Sequence, residues 1–253
     1  MKLGSELSAQ SDGLFNPAIG HLIDTWGFHS NDPEGHQPPE PATLKKLLAD
    51  NPQMGDLQLD GISLKSINPN VKLDFGAFGK GYGISLAMQH LQQLGIENAI
   101  INAGGDLQAI GSRNGAPWRI GIRHPSGEGV IATVETRGNE SVFTSGDYER
   151  NFTWKGRRYH HIIDPRTGYP AEGTRSVTVI DSDATRADAA ATALFIAGPN
   201  QWFNIAQQMG ITQVLLFDEA GYIHITPDMA ARVELAVDKE KIRISPAINS
   251  GIN

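Results

Sequence analysis

Two adjacent imidazoles, His160 and His161, stand at the end of an apolar run and lead into Ile162-Ile163-Asp164-Pro165-Arg166-Thr167-Gly168; Asp188 and Thr192 follow about one helix further on. Imidazole titrates near neutrality and serves as a general base. On a helix, Asp188 and Thr192 are four residues apart, so a carboxylate and a hydroxyl share one face, one turn apart. Both are hard oxygen donors, and Mg²⁺ favours one or two carboxylates supplemented by water, carbonyl and phosphate oxygens. A base and a hard-cation site together suit metal-assisted chemistry on a phosphate. Each part also has a plain structural use. Successive strand residues face opposite sides, so only one of the two rings can enter a given site. Taken alone, each ring is read as a core or surface histidine. Asp164-Pro165 fits the first two positions of a turn. Asp188 also suits the first turn of a helix, and Thr192 can bond back to the carbonyl of residue 188.

Three glycine-bearing segments offer backbone amides to a ligand. Asp74-Phe75-Gly76-Ala77-Phe78-Gly79-Lys80-Gly81 reads as a strand end, a tight turn and a helix start, with Lys80 placing a cation where a phosphate would sit. It is neither a P-loop nor a dinucleotide fingerprint, and a turn that packs a helix closely on a sheet explains it equally well. Asn102-Ala103-Gly104-Gly105-Asp106 ends a strand in two glycines with Asp106 as a polar anchor; a β-bulge is the alternative. Thr144-Ser145-Gly146-Asp147-Tyr148-Glu149-Arg150 packs unusual polar function into seven residues, although a capped turn accounts for it alone.

The elements that must position these groups follow from periodicity. Helical spacing covers residues 80–94, with Ile84, Ala87, Met88, Leu91 and Leu94 on one face and Gly95 as the cap. Ser182 or Asp183 caps a helix over 187–197, which Gly198-Pro199 ends, and another helix covers 201–209. Further helices are read near the start of the chain and over 43–50. Alternation predicts strands at 57–64, 71–75, 99–102, 118–123, 130–135, 141–144 and 176–180. Hairpins are read at 151–154/157–163, turning on Lys155-Gly156, and at 214–217/222–226. Residues 30–41 shift to Asn, Asp, Gly, His, Gln and Pro and read as an exposed loop. Strands and helices interleave without regular alternation, which predicts an α+β fold.

Length and charge bound the rest. At 253 residues the chain can bury one sizeable core, and one domain is expected. Its 28 acidic against 21 basic residues give a net charge of −7, with no Lys/Arg track, so nucleic acid is not expected as a partner. With no cysteine, thiolate chemistry and disulfides are excluded, and the compartment stays open. No run approaches the ~20 apolar residues of a membrane span, and no signal peptide is read behind Met1.

Six of these blocks, in this order, resemble the ApbE family of FAD:protein FMN transferases. They are Phe15-Asn16-Pro17 with Trp26-Gly27-Phe28; Asp74 with Lys80-Gly81-Tyr82; Asn102-Ala103-Gly104-Gly105-Asp106; Ser145 to Arg150; His161 to Gly168; and Ala187-Asp188-Ala189 with Thr192-Ala193-Leu194. The similarity runs from about Gly13 to about Ala230. It implies a T-fold-like arrangement of mixed sheets and packed helices with an FAD cleft between subregions. It also implies Mg²⁺-dependent transfer of FMN from FAD to a Ser or Thr hydroxyl of an acceptor flavoprotein, with release of AMP. By matching position, Asp188 and Thr192 would be metal ligands with a main-chain carbonyl near Gly79. His161, not His160, would be the base. Gly79, Lys80, Gly104, Gly105, Asp106, Ser145, Asp147 and His161 would meet the dinucleotide. Gly79 stands where the family usually has Ala, which is compatible with use of its carbonyl alone. The family's N-terminal portion has no counterpart here, so 1–253 is expected to form a single such domain without it. Two alternatives are kept: an FAD pyrophosphatase that uses the same site with water in place of the acceptor hydroxyl, giving FMN and AMP, and a non-catalytic FAD-binding protein. The family resemblance implies a periplasmic, inner-membrane-associated location.

Overall fold

The computed structural model describes residues 1–28, 36–236 and 238–249. The elements in order are α1 (Lys2–Gln10), α2 (Gly20–Trp26), α3 (Pro41–Ala49), β1 (Leu57–Asp60), β2 (Ser63–Ser66), α4 (Gly79–Gln93), β3 (Ala99–Ala103), β4 (Asp106–Ile110), β5 (Arg119–Arg123), β6 (Val130–Glu135) and β7 (Glu140–Gly146). They continue with β8 (Asn151–Trp154), β9 (Arg157–His160), β10 (Thr174–Asp181), α5 (Ala184–Gln208), β11 (Val214–Asp218), β12 (Ile223–Ile225), α6 (Pro227–Ala230), β13 (Val233–Leu235) and β14 (Ile242–Ile244). Helices and sheets are interleaved in an α+β fold. Of the loop expected over residues 30–41, residues 30–35 lie outside the described residues. Residues 36–40 carry neither helix nor strand, and Pro41 opens α3. Among the described residues, no helix is long and apolar enough to cross a membrane.

A seven-stranded sheet in the order β14-β12-β11-β10-β7-β4-β3 is the centre of the molecule. Its neighbours pair antiparallel except β12 with β14. Both faces of β10 are covered. Val177 and Val179 point into a core with the alanine-rich α5, where Ala187, Ala190, Leu194 and Phe195 are fully buried. Ile180 joins Leu107, Val142, Leu215 and Ile225 on the opposite face. The second sheet, β13-β6-β5, supplies Ile131, Val134 and Ile122 to that face. The period-2 alternation of a strand thus feeds two separate cores. A third core is aromatic: Trp26, Phe28 and Phe152 pack with Leu22, Leu44 and Ile163.

Several expectations shift. The expected strand 57–64 is a hairpin, because Gly61 at φ +58 reverses the chain between β1 and β2. Val71 to Phe75 forms no strand; Lys72 makes only an isolated bridge to Ile19. The helix expected to begin at Ala187 begins at Ala184, where the Asp183 carboxylate accepts from the amides of Thr185 and Arg186. Gly198 (φ 68, ψ 178) followed by Pro199 breaks α5 at the expected place, with helix on either side. On α4 the buried positions are Gly81, Ile84 and Met88, while Leu94 is 64% exposed.

Candidate functional site

A cavity of about 550 Å³ opens between the start of α4, the first half of α5, the end of β7 and the turn after β9. Its volume falls in the range of small-molecule sites. Lys80, Gly104, Ser145, His161, Asp188 and Thr192 line it together, although they come from five separate parts of the chain. Gly79, Gly105, Asp106 and Asp147 do not line it.

Asp188 sits on the second turn of α5 and is 5% exposed, so it is not the first-turn residue that a helix-dipole role would need. One of its oxygens accepts the Gly81 amide at 2.8 Å. That bond requires α4 and α5 to approach closely. A Cβ on Gly81 would lie 2.2 Å from the Ala184 carbonyl oxygen and 2.9 Å from the Asp188 Cβ, although the backbone of Gly81 is not in the left-handed region. Thr192 does not spend its hydroxyl on its own helix; its Oγ1 meets the Ser145 Oγ at 3.2 Å. Burial pushes the Asp188 carboxyl up to about 7, and Asp106 adds to the shift; the Gly81 amide and Lys80 offset it only in part. A buried carboxylate short of positive charge, beside two hydroxyls, is a donor set that fits a hard cation. Among the described residues, no three His, Cys, Asp or Glu side chains cluster to hold a metal. A cation here would therefore take its remaining ligands from carbonyl, phosphate and water oxygens. Gly79 is the first residue of α4, two positions before Gly81.

The imidazoles divide as alternation requires. His160, the last residue of β9, turns into the core. Its Nε2 lies 2.9 Å from the Ala171 carbonyl oxygen, its Nδ1 accepts the Ile162 amide at 3.3 Å, and its ring meets Phe195 edge-on. These bonds select the tautomer with the proton on Nε2. His161 faces the cavity, its amide anchored on the Arg150 carbonyl at 3.0 Å and its ring edge-on to Phe28. Its Nδ1 is buried with no hydrogen-bond partner among the described residues. Burial, then the Arg150 and His160 charges, lower its pKa to about 3; burial likewise lowers His160 to about 4. Both rings are neutral at physiological pH. The His161 residue as a whole is half-buried and lines the cavity.

Asp147 turns away from the cavity. Arg158 and Arg175 ion-pair with it at 2.9 and 2.8 Å, tying the end of β7 to β9 and β10. Gly146 does line the cavity, and a Cβ there would lie 2.5 Å from the Tyr148 ring. Trp26 donates its indole N–H to the Gly168 carbonyl at 2.7 Å, and Asp164 pairs with Arg166, which fixes the turn that carries His161. Gly81, Arg150 and Glu149 belong to the site or its support without standing out in the sequence as site residues. For Gly81 the available signal was a glycine inside a helical pattern.

A sequence model of the ApbE family matches residues 1–216. The chain belongs to the ApbE family. A Rhodobacter capsulatus relative named FAD:protein FMN transferase is 44% identical over 238 residues, covering 92% of this chain and 45% of its own length. A Klebsiella pneumoniae relative of the same name is 39% identical over 193 residues, covering 74% of this chain and 58% of its own. The chain thus spans about half the length of these curated relatives. Among solved structures, the ApbE protein of Thermotoga maritima superposes with a TM-score of 0.84 at 34% identity, covering 91% of this chain and 75% of that one. The flavin transferase ApbE of Vibrio cholerae gives 0.78 at 30% identity, covering 91% and 74%.

Proposed function

We propose that this ApbE-family chain transfers FMN from FAD to a Ser or Thr hydroxyl of an acceptor flavoprotein, releasing AMP, with Mg²⁺ as cofactor. The observation that carries this reading is the convergence of Asp188, Thr192, Lys80 and His161 on one cavity of about 550 Å³. The names of the relatives support the reaction class. Asp188 and Thr192, which line the cavity, would hold the cation, and the family resemblance adds the carbonyl of Gly79, which lies just outside the lining; the cation when bound neutralises charge on the diphosphate oxygens.

The chain's own groups perform the remaining work. Lys80 and Arg150 bring positive charge to the same cavity and orient the diphosphate. The acceptor oxygen bonds to the FMN-side phosphorus. The bond from that phosphorus to the bridging oxygen breaks, and AMP leaves with the electron pair. His161 takes the hydroxyl proton. Its neutral ring can accept one, but a pKa near 3 makes it a weak base. An anionic diphosphate that engages Arg150 removes the main charge acting against protonation and raises the ring's affinity for the proton.

Incubating the chain with FAD, Mg²⁺ and a small acceptor domain, then analysing denatured products, tests the proposal. Covalent flavin together with free AMP is the expected result. AMP without covalent flavin would mean FAD pyrophosphatase activity, and bound but intact FAD a non-catalytic binding protein.

A further inference from the structure

Asp106 presents a contradiction if it is taken as a ligand contact. A carboxylate repels a diphosphate, and this one is only 4% exposed and outside the cavity lining. Both of its oxygens are already engaged. Oδ1 accepts the Thr144 amide at 2.8 Å, and Oδ2 pairs with the Lys80 ammonium. The position is fixed from three sides. The β3–β4 turn is made by Gly104 and Gly105 at φ +70 and +108, with the Gly105 amide on the Asn102 side-chain oxygen at 2.9 Å. Asp106 opens β4 directly after it. The Thr144 bond locks Asp106 to β7, next to Ser145, and the Lys80 pair locks it to the first turn of α4.

Resting on the functional reading above, we infer that Asp106 is a positioning residue that acts on the diphosphate only through Lys80. Lysine is a flexible point charge on a four-carbon stem, and holding its head in one place otherwise costs rotamer entropy. Lys80 lines the cavity, and its side chain is 47% exposed. The buried Asp106 tethers its head beside the pocket, with the ammonium's other donors left for phosphate oxygens. Asp106 thereby turns a mobile surface cation into a fixed one, and the Thr144 bond ties that cation to the strand carrying Ser145.

The effect of removing the Asp106 charge should therefore depend on Lys80. With Lys80 present, loss of the Asp106 charge weakens ligand binding because the cation is released. With Lys80 absent, Asp106 is only a buried negative charge near an anion, so its removal leaves binding unchanged or tightens it. ADP serves as a diphosphate probe, titrated calorimetrically in EDTA against the wild type, Asp106→Asn, Lys80→Met and the double variant. Asp106→Asn is expected to weaken ADP roughly tenfold in the wild type. In the Lys80→Met background it is expected to cost nothing. Equal losses in both backgrounds would overturn the inference, since they would mean that Asp106 meets the ligand itself or merely supports the fold. Should Asp106→Asn fail to fold, the same cycle with Asp106→Glu gives the same two outcomes, because the longer side chain displaces the ammonium without removing charge. Flavin transfer by the wild type is measured in parallel. A wild type that binds ADP but transfers no flavin refutes the functional reading and leaves the tether standing. One that binds neither ADP nor FAD overturns both.

Discussion

The cavity is built from two parts that differ in what they offer a ligand. Where α4, α5 and β7 meet, the lining carries charge and hard oxygen: Lys80, Asp188, Thr192 and Ser145, with Asp106 behind them. Where the chain turns after β9, the lining is a neutral imidazole set among Phe28, Ile162 and Ile163, with the Arg150 charge beside it. The first part is held by a helix contact so close that only glycine fits, the second by aromatic packing and an indole-to-carbonyl bond. Desolvation acts on both in the same way, by suppressing charge. It pushes Asp188 up to about 7 and His161 down to about 3. The consequences differ: the carboxylate is left seeking a cation, and the imidazole is left without its proton. A ligand that brings both a cation and a diphosphate would satisfy the two parts at once.

Removing the charge from the first part should have the largest effect. Asp188→Asn keeps the shape and the acceptor for the Gly81 amide, yet FMN transfer is expected to fall by about 10²–10³. Stability should move the other way. A carboxyl raised from 3.8 to about 7 binds more protons folded than unfolded, so its contribution is favourable at low pH and is lost as pH rises from about 4 through 7. In metal-free buffer at pH 8, the Asn variant should therefore melt at or above the wild-type temperature. Next comes the neutral part. His161→Gln should cost about 10²-fold in transfer while leaving ADP binding within a factor of a few, as measured by single-turnover kinetics and calorimetry.

Gly81→Ala strikes the seam between α4 and α5. The added methyl meets backbone at 2.2 Å, so destabilisation of about 1–3 kcal/mol in denaturant unfolding is expected, together with weaker Mn²⁺ binding by the displaced Asp188. The smallest effect concerns His160, which supports the second part from behind. Its folded pKa of about 4 lies below the 6.5 of the free side chain, so its contribution is present above pH 6.5 and is lost as pH falls toward 4. His160→Gln should make the decline in stability between pH 7 and pH 5 shallower, by an amount on the order of 1 kcal/mol.

Much of this architecture was legible in the sequence because it is local. The start of α4, the Lys155-Gly156 hairpin, the Asp183 cap and the Gly198-Pro199 break each depend on neighbours a few residues away. The opposite facing of His160 and His161 followed from strand alternation. Alternation alone missed Gly61, which folds one apparent strand into a hairpin, assigned residues 71–75 to a strand that does not form, and did not show β4. The pairing of Asp188 with Thr192 followed from helix spacing, but its placement beside Lys80 depended on a helix contact between residues more than a hundred positions apart. Gly81 was passed over for the same reason: close approach, not a special φ, demands it. The family resemblance implied a ligand contact for Asp147, where the polar turn alone reads as a capped turn, and only the fold brings Arg158 and Arg175 to it.

On the proposed function, a divalent cation and a diphosphate meet at Asp188 and Thr192. Crystals grown with FAD and Mn²⁺, measured with anomalous scattering, address it directly. The account predicts one strong peak within about 2.5 Å of an Asp188 carboxylate oxygen and the Thr192 hydroxyl, in contact with the diphosphate. Ordered FAD in the cavity with the manganese peak elsewhere, or with both side chains turned away from it, would contradict the account.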